Sequence, residues 1–108
     1  MKSKELKIYV SIKLKAKEGK SEELAQLLKS AGEIVAKEEA QTHFWVATRL
    51  DERNFYICDA FSNTTGMEAH FEGTVAQKLK SVAEDLVEGG WEQGVVANIQ
   101  QQEVLSQN

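Results

Sequence analysis

The chain has 108 residues, 42% hydrophobic and 28% charged, which excludes a disordered polymer and leaves room for one packed core. Seventeen acidic against thirteen basic residues give a formal charge of −4 with the lysines scattered, so nucleic acid is excluded as a partner, because phosphate binding needs a concentrated positive footprint. No run of roughly 20 apolar residues is present to span a membrane, Met1 to Leu14 contains no secretory h-region, and Cys58 alone permits neither an internal disulfide nor a cage of thiolates around a metal. A cytoplasmic protein is the expectation.

Leu6, Ile8, Val10, Ile12 and Leu14 alternate with polar residues, the period of a strand with one apolar face. After a turn at Gly19, Ser21 precedes Glu22 and Glu23, which predicts a capped helix start. Leu24, Leu27, Leu28, Ala31, Ile34 and Val35 then repeat at helical spacing to about Glu38. Thr42 to Leu50 and Asn54 to Phe61 are rich in aromatic and β-branched residues, and the polar triplet 51–53 between them has hairpin length. In the second of these strands Asp59 shares a face with Phe55, Ile57 and Phe61 and is its odd member.

Residues 62–65 carry capping chemistry for a short helix with Met67, His70 and Phe71, ended by Gly73. A longer helix from Thr74 buries Val75, Leu79, Val82, Ala83 and Leu86, with Gly89 and Gly90 read as its exit. Val95 to Leu105 is expected as the last strand. The order β-α-β-β-α-β predicts an α+β, ferredoxin-like domain over residues 1–108, ordered from about 5 to 105, its antiparallel sheet carrying the helices on one face. Tyr9, Phe44, Val46, Tyr56 and Cys58 fall on the other face, and a second copy of the chain is the simplest cover for it.

With that order, THFWVATRL at 42–50 and NFYICDAFSNTTGMEAHFEG at 54–73 resemble the antibiotic biosynthesis monooxygenase superfamily of dimeric α/β-barrel proteins. Its third strand carries an acid and an aromatic two residues apart, followed by a helix ending in Ala-His; Asp59, Phe61, Ala69 and His70 occupy those positions. The resemblance implies a homodimer with a pocket for a small-molecule substrate between the helices and the sheet. In relatives that pocket serves cofactor-free oxygenation of phenolic or quinol substrates, haem degradation or sugar-phosphate isomerisation, and fold alone does not choose among them. Relatives that degrade haem place an asparagine on the first strand, a tryptophan at the end of the short helix and a ligating histidine about three turns on. Those positions hold Ile12, His70 and Lys80 here, so no haem and no other cofactor is expected. The Pro-Gly usual before the second strand is absent; Glu39, Ala40 and Gln41 stand there.

His70 is the candidate acid–base group, since imidazole exchanges protons near neutral pH. Asp59 is the candidate to orient it, although an Asp–His pair linking strand and helix also satisfies two buried polar groups without any chemistry. Trp45 and Phe61 can wall a flat substrate or simply pack the core. Ile12 joins them on the first strand, and Arg49 is the candidate for an anionic group on a ligand or for a surface ion pair. His43 is expected at the rim. Cys58 faces away from His70, so a Cys-His nucleophile is not expected, and two histidines on separate elements make no metal site. Two functions remain open: a cofactor-independent monooxygenase acting on an aromatic or quinol-type compound, with His70 and Asp59 catalytic, and a non-catalytic ligand-binding or stress-associated dimer. Sugar-phosphate isomerisation needs several cations converging on one anion, and Arg49 stands alone. Either pocket function requires a cavity of roughly 300 Å³ or more.

Overall fold

A computed structural model describes residues 5–108; Lys2 and Lys4 of the basic N-terminal stretch lie outside them. Four strands, β1 (Ile8–Lys15), β2 (Phe44–Arg49), β3 (Asn54–Phe61) and β4 (Ile99–Glu103), form one antiparallel sheet in the order β2-β3-β1-β4. The helices are α1 (Ser21–Glu38), α2 (Thr64–Phe71), α3 (Thr74–Leu86) and the short α4 (Gly90–Gly94), followed by a 3₁₀ turn over Val96–Asn98. This is the ferredoxin-like α+β fold that the order of elements predicts.

Register sorts the side chains of the sheet. Ile12 pairs with Ile57 on one side and Ile99 on the other, and Ile57 pairs with Ala47, so one row of residues crosses all four strands on the helix face. Val10, Asp59 and Trp45 form the next row, and Leu14, Phe55 and Arg49 the one beyond. The core lies between these rows and the inner stripes of α1 and α3, with Leu24, Leu28, Leu79, Ala83 and Leu86 all buried. Tyr9, Phe44, Val46, Tyr56 and Cys58 share the opposite face, where Phe44 keeps 43% and Val46 36% of its exposure.

Four local expectations are corrected. Ser21 is the first residue of α1, and Lys20, which makes no side-chain cap, precedes it; the start is favoured by Glu22 and Glu23 in the first turn instead. Strand β2 begins at Phe44, two residues later than Thr42, because Thr42 turns back and its N–H donates to Glu39 O at 3.0 Å. The last strand begins at Ile99, not Val95. Gly89 and Gly90, both in the left-handed region at φ 84° and 67°, open α4 and do not merely close α3. Gly94 lets that turn fold against the preceding chain: a Cβ there would stand 2.1 Å from Glu88 O.

Candidate functional site

Asp59 sits in the middle of β3 on the helix face with no exposure at all, and His70, in the last turn of α2, keeps 5%. Helix α2 starts where Asn63 Oδ1 accepts the Gly66 N–H at 2.8 Å, a side-chain cap that sets the phase of the helix and turns His70 inward. His70 Nε2 stands 3.0 Å from Asp59 Oδ2, within ion-pair distance. The strand-to-helix pair expected from the sequence is therefore formed as a charge contact.

A second carboxylate, which sequence reasoning missed, completes the cluster. Glu39, just past the end of α1, places Oε1 2.5 Å from His70 Nδ1 and accepts the Thr42 hydroxyl at 3.0 Å. The side chains of His70 and Glu39 keep 6% and 9% of their exposure. An imidazole thus stands between two sequestered carboxylates. Burial alone lowers the pKa of His70, but the Asp59 and Glu39 carboxylates outweigh it and hold the ring above its ordinary value. Burial raises the pKa of Asp59; His70 opposes that rise and the charge of Glu39 adds to it. Among the described residues no three or more histidine, cysteine, aspartate or glutamate side chains are grouped to share a metal ion.

The remaining candidates divide between two spaces. Ile12, Trp45 and His70 line a partly enclosed cavity of about 80 Å³ under Phe71, Leu79 and Trp91, otherwise wholly uncharged. Trp45 and Arg49 line a separate cleft of about 380 Å³ between α1 and β2, which His70 does not reach. The Trp45 indole N–H is buried without an acceptor. The single open pocket expected around His70 is therefore two spaces, and Trp45 is the wall common to both.

Phe61 corrects another expectation. It is fully buried and lines neither space; its ring packs behind the imidazole at 5.6 Å between centroids. Arg49 is engaged at the surface, donating to Glu22 Oε1 at 3.1 Å and Glu52 O at 2.9 Å with its guanidinium 5.0 Å from the centre of the Phe55 ring. His43 is half-buried. Cys58, on the outer face, is the neighbour of Tyr9, whose hydroxyl is pushed up to about 12 first by its hydrogen bond with that thiol and then by burial.

A protein of unknown function from Nitrosomonas europaea is 30% identical, with 95% of this chain and 93% of that one covered at a TM-score of 0.85. The chain belongs to that protein's family. More distant members of the fold include a Chloroflexus aurantiacus protein provisionally named an antibiotic biosynthesis monooxygenase, at 12% identity over 94% of this chain and 96% of that one, TM-score 0.70. A Bacteroides thetaiotaomicron protein described as a possible oxidoreductase matches at 15% identity over 92% and 98%, TM-score 0.73. At those identities the likeness to the monooxygenase superfamily is one of fold. No family model and no curated protein matches the sequence. Among the described residues no helix is long and apolar enough to cross a membrane.

Proposed function

We propose that the chain is a cofactor-independent oxidoreductase of monooxygenase type, acting at His70 on a small, neutral aromatic or quinol-type compound, and working as a homodimer joined through the outer sheet face. The observation that carries this reading is the buried imidazole between two carboxylates on the wall of an otherwise uncharged cavity. Such a site tunes one proton acceptor and offers nothing else charged to a ligand. His70 Nε2 accepts an acidic proton from the substrate, Asp59 stabilises the imidazolium, and the electron-rich anion passes an electron to dioxygen. Recombination gives a peroxide anion, which takes the proton back; loss of water leaves a carbonyl. For a methylene between aromatic rings the sum is CH₂ plus O₂ giving C=O plus H₂O, with no electron donor beyond the substrate.

The inner cavity, at about 80 Å³, is smaller than the roughly 150 Å³ that admits a benzene ring. Entry of a ring requires a side chain to swing, and Trp45, the partition toward the 380 Å³ cleft, is the one whose movement joins both spaces. The same small volume favours a second reading, in which the His70 cluster is purely structural and the α1–β2 cleft holds a ligand without turnover.

Oxygen uptake with a panel of hydroquinones and fused-ring phenols separates the two. Catalysis predicts consumption by the wild type and a loss of at least ~100-fold in Asp59→Asn and His70→Gln variants that keep the native circular dichroism. Binding with no uptake by any protein, or full turnover in His70→Gln, overturns the catalytic reading.

A further inference from the structure

We propose that His70 exchanges its proton with solvent through Glu39, so that protons reach the site by an entrance separate from the substrate's. The inference rests on His70 being the acid–base group. Its two ring nitrogens face opposite surroundings. Nε2 stands against Asp59, which has no contact with solvent, and the 80 Å³ cavity that His70 also lines offers no titratable group other than His70 itself. β1, β2, α3 and α4 present only uncharged side chains to that cavity. A proton on Nε2 has no onward carrier there.

On the Nδ1 side the surroundings are polar and open. An exposed groove of about 220 Å³ runs between the end of α1 and α2, lined by Glu38, Glu39, Thr42, Gly66, Ala69 and His70. Glu39 stands at its base, with Oε1 against Nδ1 and under the Thr42 hydroxyl, while Oε2 is buried just beneath the groove with no hydrogen-bond partner. Gly73 makes room for that free oxygen: a Cβ there would come to 3.0 Å from it. The other carboxylates nearby have different roles. Glu38 accepts the Thr74 hydroxyl at 2.7 Å, and Glu68 and Glu72 on α2 point into water.

The proton balance is that of a two-ended base. A proton gained at Nε2 makes the imidazolium; the Nδ1 proton then passes to Glu39, whose carboxylic acid turns toward the groove to give it to water. The ring returns to neutral with its proton on Nε2, and the reverse sequence resets the tautomer.

The test needs no substrate. In protein labelled with ¹⁵N-histidine, exchange of the His70 ring protons with water is measured by NMR at matched ring charge in wild type, Glu39→Gln, Glu39→Asp and Glu38→Gln. The amide of Glu39→Gln still accepts a hydrogen bond but cannot take up a proton, and Glu39→Asp draws the carboxylate back. Both are expected to slow exchange at least ~10-fold, whereas Glu38→Gln, with the same charge change on the groove rim, leaves it at the wild-type rate. Wild-type exchange in both Glu39 variants overturns the relay, whatever the oxygen-uptake panel shows. Slow exchange with no uptake by the wild type keeps the relay and removes the oxygenase reading.

Discussion

At the scale of single residues, His70 ties stability to pH. Its pKa is raised in the folded chain by Asp59 and Glu39, so the folded state binds its proton more tightly than the unfolded one. The stabilisation is fully present below the unfolded value of about 6.5 and is lost as pH rises through the higher folded value. Thermal melts are expected to show a midpoint that falls as pH is raised above about 6.5, a slope that His70→Gln flattens. Removing the ring altogether strands two buried carboxylates; His70→Ala is expected to cost about 3–5 kcal/mol, measured by urea unfolding, while a surface histidine loses little. Asp59 was legible as the odd polar residue on an apolar strand face, and His70 as the imidazole after it. Glu39 was not. It ends the run Lys37-Glu38-Glu39, which by itself reads as a solvated helix end, and only the return of α2 across it creates the burial. The one signal was a departure: Glu39 stands near where the resembling proteins have Pro-Gly.

At the scale of elements, α2 is the arm that delivers the imidazole, and its single side-chain cap is Asn63. Asn63→Ala is expected to cost about 1 kcal/mol, seen as a fall of about 4–8 °C in Tm; broadening of the His70 ring signals would accompany it as the helix start frays. Legibility also varied by element, for physical reasons. β1 alternates strictly because one face is buried and the other meets solvent, so its period is printed in the chain. β4 carries Gln100, Gln101 and Gln102, which encode no face; only pairing with β1 makes a strand of them. A five-residue helix such as α4 has no period to read, and its glycines resemble an exit. Arg49 shows the limit of alternation: it lies on the helix face by register, but at the end of an edge strand it reaches solvent and Glu22 instead of the interior.

For the whole molecule, the outer sheet face decides assembly. Phe44 and Val46 are exposed on it beside the half-buried Tyr9, Tyr56 and Cys58, a surface that a symmetric second copy would remove from water. Sedimentation is expected to give a dimer, and Val46→Glu, which sets a charge at the middle of β2, a monomer of unchanged secondary structure; a wild-type monomer at micromolar concentration would contradict the homodimer. The order β2-β3-β1-β4 has one further consequence, for biosynthesis. β1 is central, and β4, one of its two neighbours, is translated last of the four strands. Until β4 is made, β1 therefore keeps an open backbone edge that chaperones or the tunnel can shield. With no proline among these 108 residues, no prolyl isomerisation delays closure of that edge once β4 is made.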